Sequence, residues 1–277
     1  MEQKALFTDL DGTLLNDAKE VTEGNRLAIE EMRRQGHLLV VTTGRPLVSA
    51  IAQAEKLGLS GPGSVLIAYN GGILYDLGRH AVIDRVSIPL PTVYALFDEA
   101  NARGLYIQTY NEEHVLIEPP SDRDIAAYYC GRIGMQYDVI PDIRSLTREP
   151  EKLLLIDLVT RSKLNRFIEE IGPSYEGRLD LFYSSQYYLE VVPCGVNKGN
   201  ALLRLADRLG IRPENTVAAG DEANDIPMLL AARYGVAMRN SAPDVLAKAR
   251  YVTTLDNNHD GVAEIIRDYI LSPERSV

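Results

Sequence analysis

Two aspartates, Asp9 and Asp11, stand two residues apart directly after an apolar run near the start of the chain, in the sequence FTDLDGTLL. Two acids at this spacing can divide their work. One is ionised and acts as a nucleophile, while the other exchanges a proton with a leaving group. Asp-x-Asp-Gly is also typical of a turn or of the start of a calcium loop. The residues after Gly12 disfavour calcium, because they supply no series of oxygen ligands ending in Glu.

A second polar segment, Thr43, Gly44 and Arg45, follows another apolar run and precedes Pro46, which suits the first turn of a helix. The Thr43 hydroxyl and the Gly44 amide can hold a phosphoryl group, aided by the positive end of that helix. Alone, Thr-Gly after a strand is more typical of a cap and turn. Arg45 either contacts a substrate or pairs with an acid at a domain junction.

A lysine, Lys198, stands at the predicted start of a later helix, in Asn197-Lys198-Gly199. An ammonium group there can balance a nucleophilic carboxylate and phosphoryl oxygens at the same time. An isolated lysine is usually a solvated surface residue. The place of Lys198 between a linker and the last predicted strands favours the functional interpretation.

Acids also follow an apolar strand late in the chain, in the sequence AAGDEAND. Magnesium prefers oxygen ligands and keeps several waters, so Asp9, the Asp11 backbone carbonyl and Asp221 suffice as protein ligands. Asn224 can orient a substrate phosphate, and Asp225 is expected to anchor the loop or the lysine. Alone, Asp-x-x-Asn-Asp is about as typical of a helix cap.

The elements that position these residues are those of a doubly wound α/β sheet. Apolar runs alternate with helical patterns at first, and strands are predicted at 4–10, 37–43 and 64–69. The pattern then changes to α+β with an antiparallel sheet, and later returns. We predict a Rossmann-like α/β core from residues 1–87 and 193–277 with an inserted α+β domain at 88–192. Ligands of such cores bind beyond the carboxyl ends of the strands.

Composition and charge limit the functional classes. A formal net charge of −10 over 277 residues disfavours sequence-independent binding to nucleic acid or to an anionic membrane. No apolar stretch approaches the roughly 18 residues of a membrane span, and a cytoplasmic location is expected. Cys130 and Cys194 form no C-x-x-C pattern and are expected to be buried thiols, neither zinc ligands nor a disulfide.

The four polar segments occur in the order found in the haloacid dehalogenase superfamily, and Asp9-Leu10-Asp11-Gly12-Thr13 resembles its first motif. The gap between the first two segments is short, and a long insertion precedes Lys198. That spacing resembles the Cof-type phosphatases, which carry a type C2 cap. The sequences YNGG at 69–72 and DGVA at 260–263 are also similar to that family.

The resemblance implies a magnesium-dependent phosphatase acting on small phosphorylated metabolites, typically sugar phosphates. Asp9 would attack phosphorus to form an aspartyl phosphate, while Asp11 would protonate the leaving alkoxide and then activate water. The residues implied in phosphate or substrate binding are Leu10, Thr43, Gly44, Arg45, Lys198 and Asn224. The insertion would be a mobile cap, and the candidates for substrate selection in it are Tyr110, Asn111, Tyr183, Ser184 and Glu190.

Three other functions are compatible with parts of the pattern. A phosphomutase shares the aspartyl-phosphate chemistry but returns the phosphoryl group to a sugar. A catalytically idle sugar-phosphate sensor is disfavoured because no catalytic position is substituted. A phosphoacceptor receiver domain would need roughly half this length and no insertion. The substrate and the oligomeric state are left open.

Overall fold

The computed structural model describes residues 2–272 of the chain. Contacts divide the chain into two units. The first contains Met1–Gly44, Ala50–Asp84 and Asn197–Val277, and the second contains Arg45–Ser49 and Arg85–Val196. Each unit has its own sheet and its own hydrophobic core.

The strands alternate with helices along much of the chain. The strands are β1 (Ala5–Asp9), β2 (Leu38–Thr42), β3 (Ser64–Ala68), β4 (Ile73–Asp76), β5 (Ala81–Arg85), β6 (Tyr106–Tyr110), β7 (Val115–Ile117), β8 (Tyr137–Val139), β9 (Leu153–Ile156), β10 (Leu179–Tyr183), β11 (Tyr188–Pro193), β12 (Thr216–Gly220), β13 (Tyr234–Ala237) and β14 (Tyr251–Val252). The helices are α1 (Glu23–Arg34), α2 (Leu47–Lys56), α3 (Leu90–Ala102), α4 (Arg123–Ile133), α5 (Ser162–Ile171), α6 (Lys198–Leu209), α7 (Ile226–Ala231), α8 (Pro243–Leu246) and α9 (Gly261–Ile265), the last continuing as a π-helical segment at Ile266–Leu271.

The first unit contains an eight-stranded sheet in the order β14-β13-β12-β1-β2-β3-β4-β5. The six strands from β14 to β3 pair in parallel, and β4 then pairs antiparallel with β3. All five residues of β1 are buried, as expected for a central strand that is covered on both faces. The predicted doubly wound α/β core is therefore confirmed.

The local sequence explains the ends of helices α1 and α6 in the first unit. Ile29 and Met32 lie on the buried face of α1, and Gly36, with φ 85°, supplies the left-handed turn after its last residue. The side chain of Asn197 caps α6 by accepting a hydrogen bond from the Asn200 amide at 2.9 Å. Leu202 on α6 belongs to the same buried core as the strand residues of this unit. Gly36 thus ends α1 before β2 begins, and Asn197 starts α6.

The second unit contains a six-stranded sheet in the order β10-β11-β9-β6-β7-β8. Its pairs are antiparallel except for β7 and β8, which are parallel. The antiparallel sheet predicted for this segment is confirmed except at this pair, which is parallel because α4 provides the long crossover that a parallel pair requires. The core of this unit packs Phe97 and Phe167 against apolar residues of β6, β9 and β11.

Some smaller findings correct or extend what the sequence predicted. Cys130 is buried as expected, but Cys194 is exposed, because it follows β11 at the end of the second unit's sheet. The short elements α7 and β14 were not predicted from the sequence. Among residues 2–272, no helix has the length and apolar character needed to cross a membrane.

Candidate active site

The carboxyl ends of β12, β1, β2 and β3 lie side by side, because these strands are parallel neighbours in register. Strand β1 ends at Asp9, which is opposite Thr42 in β2. Strand β12 ends one residue before Asp221. Parallel pairing thus gathers polar segments that are far apart in the sequence at one edge of the sheet.

A buried lysine links two of these segments. The Lys198 side chain is fully buried at the first turn of α6, and its Nζ donates hydrogen bonds to Asp9 and, at 2.5 Å, to Oδ1 of Asp225. Burial acts to lower the pKa of Lys198, but the carboxylates of Asp225 and Asp9 outweigh it and raise that pKa. Lys198 is therefore a permanent ammonium group, since a buried charge of this kind is tolerated only when it is paired.

Asp225 uses both carboxylate oxygens within the protein. Oδ1 accepts from Lys198, and Oδ2 accepts from the backbone amides of Asp221 and Glu222 at 3.0 and 3.1 Å. A Cβ atom at Gly220 would overlap the Asp225 side chain, so glycine is needed for this close approach. Asp225 therefore ties the lysine to the loop after β12.

Asp221 is held by the turn that follows β1. The Thr13 hydroxyl donates to Oδ1 of Asp221 at 2.5 Å, and both residues are buried. Gly12 has φ 85°, and a Cβ atom there would overlap the Asp221 carboxylate. The Gly12 carbonyl accepts a hydrogen bond from the Asn240 side chain at 2.8 Å. The turn after β1 thus places Asp221 beside Asp9.

The acidic cluster formed by Asp9, Asp221 and Asp225 fits a divalent cation. Each of the three offers an oxygen, and these atoms lie within 4.8 Å of one another. Burial raises the pKa of Asp9 to about 8, and Lys198 opposes this shift. Burial also raises the pKa of Asp221 to about 6, and the hydrogen bond from Thr13 opposes that shift. Three buried carboxylates face one ammonium group, and a cation would relieve the excess negative charge. Carboxylate oxygens are the ligands that Mg²⁺ prefers.

The acidic cluster differs in one member from the metal ligands expected from the sequence. Asp225 belongs to it, whereas the Asp11 side chain is half-buried and forms an ion pair with Lys19 at 3.0 Å. The expected contribution of Asp11 was its backbone carbonyl, which this pairing leaves unaffected. Both oxygens of Asp225 already accept hydrogen bonds, so Asp9 and Asp221 are the better carboxylate donors for a metal.

The other predicted phosphate-binding residues occupy different positions in the fold. Leu10 is buried, and its carbonyl accepts from the Leu15 amide at 2.9 Å. Thr43 is buried after β2, and its amide donates to the Ile67 carbonyl at 2.8 Å. Gly44 is the last residue of the first segment of the first unit. Arg45 is half-buried and belongs to the second unit.

Asn224 is exposed, and its side-chain amide donates to Oδ1 of the buried Asn70 at 3.2 Å. Apart from Leu10 and Asp11, the predicted residues of the first unit therefore fall into two groups. Asp9, Lys198, Asp221 and Asp225 form one buried network. Thr43, Gly44 and Asn224 are grouped around the turn that follows β3, through contacts with Asn70.

Comparison with known proteins assigns the chain to a family. Residues 6–266 match the model of the haloacid dehalogenase-like hydrolases, which is most of the chain. The chain belongs to the haloacid dehalogenase-like hydrolases. The resemblance inferred from its four motifs is thereby confirmed.

Several named relatives of this hydrolase are phosphatases. It is 31% identical to the 5-amino-6-(5-phospho-D-ribitylamino)uracil phosphatase YcsE of Bacillus subtilis, over 97% of this chain and 96% of that protein. It is 27% identical to the pyridoxal phosphate phosphatase YbhA of Escherichia coli, over 98% and 100%. A solved haloacid dehalogenase-like hydrolase from Bacteroides thetaiotaomicron is 31% identical with a TM-score of 0.85, over 96% and 99%. The chain is a phosphoric monoester hydrolase of this family.

The five residues predicted to select the substrate of this hydrolase lie in different surroundings within the second unit. Tyr110 is buried, and its hydroxyl hydrogen-bonds with that of Tyr129 at 2.8 Å. Glu190 is buried in an ion pair with Lys152 at 2.8 Å. The remaining three are nearer the surface: Asn111 in a turn with Glu113 and His114, Tyr183 bonded to Asn165, and the exposed Ser184.

Two residues that contact the predicted site of this haloacid dehalogenase-like hydrolase were missed from the sequence. Thr13 is adjacent to the recognised Asp-x-Asp-Gly, but nothing in the sequence says that its hydroxyl reaches Asp221, 208 positions away. Asn70 was noted only as part of YNGG. The usable signal for Asn70 was an Asn directly before Gly after a strand, which indicates a left-handed turn at a strand end.

Proposed function

We propose that this protein is a magnesium-dependent phosphatase of small phosphorylated metabolites, with Asp9 as the nucleophile. The observation that carries the proposal is the contact between Asp9 and the fully buried Lys198 beside Asp221. A carboxylate that is held by a permanent ammonium group and sits next to a cation-binding oxygen is suited to approach a phosphate ester.

In the proposed reaction, a carboxylate oxygen of Asp9 attacks phosphorus and the bond to the alkoxide leaving group breaks. The product is an acyl phosphate on Asp9. Asp9, Asp221 and the Asp11 carbonyl are the proposed ligands of Mg²⁺, which when bound neutralises phosphoryl charge. Lys198 favours the ionised form of Asp9 against the effect of burial, and it compensates the charge that develops on the phosphoryl oxygens.

Asp11 is proposed as the general acid and base. Its proton goes to the departing alkoxide, and its carboxylate then takes a proton from the water that cleaves the acyl phosphate. The ion pair that Asp11 forms with Lys19 favours the ionised carboxylate and so opposes the acid role only weakly. The two side chains are 37% and 60% exposed, and exposed pairs of this kind contribute about 1 kcal/mol or less.

Phosphate oxygens are proposed to be bound by the Leu10 and Gly44 backbone, the Thr43 hydroxyl and the Asn224 amide, with Arg45 contacting substrate. The insertion predicted at 88–192 is proposed as a cap that selects the leaving group. The second unit has its own core, which supports movement as one body. A location in the cytoplasm stays a prediction.

The substrate is proposed to be a sugar phosphate or a similar phosphorylated metabolite. A hydrolysis screen with and without Mg²⁺ should include sugar phosphates, nucleotides, flavin and pyridoxal phosphates, and the uracil derivative named for YcsE. Activity that requires added divalent metal is expected for at least one class. Product analysis without added bisphosphate separates a phosphatase from a phosphomutase, because only the phosphatase releases inorganic phosphate in step with substrate loss.

The mechanism is tested by Asp9→Asn, which keeps the shape of the side chain and removes the nucleophile. The variant should fold and lose turnover. The matched control is Asp207→Asn, an exposed aspartate on α6, which should keep the parent rate. Asp9→Asn activity above roughly a thousandth of the parent rate would exclude Asp9 as nucleophile.

A further inference from the structure

The turn after β3 adopts an unusual backbone conformation. Tyr69, Asn70 and Gly71 have φ values of 51°, 55° and 116°. Positive φ is rare for residues other than glycine and is uncommon above all for a bulky residue such as tyrosine. Two consecutive non-glycine residues in this region persist only where their surroundings hold them, and such strain concentrates at functional sites. The turn lies at the same edge of the sheet as Asp9 and Thr43.

Asn70 contacts two segments that are proposed to bind phosphate. Its backbone amide donates to the Thr43 carbonyl at 3.0 Å. Its side-chain oxygen accepts from Asn224 at 3.2 Å. The side-chain amide also occupies the space beside Gly44, where the atoms of Asn70 would lie 3.0–3.3 Å from an added Cβ. Asn70 itself is only 4% exposed, so its side chain is fixed by packing.

The next residue joins the turn to the helix that carries Lys198. The Gly71 carbonyl accepts from Arg204 on α6 at 2.6 Å. A Cβ atom at Gly71 would lie 2.7 Å from the Asn197 carbonyl and 3.0 Å from Ala201. The turn is therefore seated on the first turns of α6, and its position is set by the same helix that positions Lys198.

We propose that Asn70 is a positioning residue for phosphate binding, acting through Asn224 and through the Thr43–Gly44 segment. This inference rests on the proposed function. Asn224 is exposed, and the hydrogen bond that its amide donates to Asn70 restrains its rotamers. Without that bond, the free enzyme would have to order the Asn224 side chain on binding, which weakens affinity for a phosphate group. Asn70 does not contact the reacting atoms in this account.

The competing explanation is that Asn70 serves only the backbone, since asparagine tolerates the left-handed conformation better than most residues. Asn70→Gly separates the two explanations. Glycine adopts positive φ without a steric cost, so the turn is kept, while both side-chain contacts are removed. His80→Gly is the matched control, because His80 also has a positive φ, of 52°, and is exposed in the turn between β4 and β5.

Asn70→Gly should raise KM for a phosphate ester and the inhibition constant of inorganic phosphate together, by about five- to tenfold, the effect of one lost hydrogen bond. The value of kcat should stay within about twofold of the parent, because ground-state and transition-state binding are lost alike. Some loss of thermal stability is expected because Asn70→Gly empties a buried position, so KM and phosphate inhibition are compared at a temperature at which the variant stays folded. His80→Gly should change neither KM nor phosphate inhibition.

A double-mutant cycle with Asn224→Ala tests the route of the effect. If Asn70 acts largely through Asn224, the double variant should be little worse than the more affected single variant. Unchanged KM and phosphate inhibition in Asn70→Gly would overturn the inference, and effects that multiply in the cycle would overturn the route through Asn224. A parent protein that neither hydrolyses phosphate esters nor binds inorganic phosphate would overturn the proposed function as well, which is a separate result.

Discussion

Removing the buried ammonium group of Lys198 should have two measurable consequences. The Lys198 side chain has no exposed surface, and it bonds to Asp9 and Asp225, whose side chains are 12% and 0% exposed. Lys198→Met keeps much of the volume of the side chain and removes the charge. Two buried carboxylates then lose their partner, and breaking a buried pair in this way costs about 3–5 kcal/mol of folding free energy.

The second consequence concerns Asp9. Burial already raises its pKa to about 8, and the Lys198 charge and hydrogen bond are the effects that oppose the shift. Without them the pKa of Asp9 should rise further, so an even smaller fraction of the nucleophile is ionised near neutral pH. Turnover should fall by at least roughly a hundredfold, the loss typical of removing one charged group that stabilises a transition state.

The stability arm is measured by urea denaturation in the presence of a chelator. Lys163→Met on α5 is the matched control, because that lysine is exposed and its replacement should change the free energy of unfolding by less than about 0.5 kcal/mol. Adding Asp225→Asn to Lys198→Met should recover part of the loss, since one unpaired carboxylate is then gone. A loss of unfolding free energy below about 1 kcal/mol for Lys198→Met would show that pairing with Asp9 and Asp225 does not stabilise the fold.

Two further predictions concern the metal-free protein and the turn after β1. The pKa values of Asp9 and Asp221 are raised from 3.8 to about 8 and about 6, so the folded chain binds more protons than the unfolded chain in that range. The free energy of unfolding in chelator should therefore fall as pH rises from about 4 to about 8. Saturating Mg²⁺ should remove most of this pH dependence. A free energy of unfolding in chelator that does not change with pH would contradict the prediction. Gly12→Ala should weaken Mg²⁺ binding, measured by calorimetry, by at least about tenfold, because its Cβ overlaps Asp221. Gly36→Ala is the matched control, because Gly36 also has a φ of 85° but no atom lies within 4 Å of an added Cβ. This control should leave Mg²⁺ affinity unchanged. Equal effects of the two substitutions would contradict the placement of Asp221 beside Gly12.

The sequence predicts the first half of the core sheet well because its strands are short, continuous apolar runs. Strand β3, predicted at 64–69, is observed at Ser64–Ala68, and the strand predicted at 37–43 is observed at Leu38–Thr42. Glycine and proline limit these elements, and local residues decide such boundaries. The parallel order then follows from the helices between the strands.

Elements whose pattern is short or set by tertiary contacts escaped prediction. Helix α7 has six residues and β14 has two, too few to show a period. The parallel pairing of β7 with β8 depends on where α4 packs, which no local pattern encodes.

The candidate site also has features that follow from local sequence and features that depend on tertiary contacts. Asp9, Lys198 and Asp221 were predicted as site residues from residue type and from their position at predicted strand and helix ends. The contacts that orient them were not, because they join distant parts of the chain: Thr13 to Asp221 and Asn70 to Asn224. Residue type shows which groups can do chemistry, whereas the three-dimensional fold decides which neighbours hold them.

The central claim, that Asp9 becomes phosphorylated during turnover, has a direct test. The enzyme is mixed with a radiolabelled phosphate ester and Mg²⁺, quenched in acid within one turnover, and digested for peptide mapping. An acid-stable, base-labile label is expected on the peptide that contains Asp9, and no label is expected in Asp9→Asn. A label on another residue, or phosphate release in a single turnover with no labelled protein at any time, would contradict it.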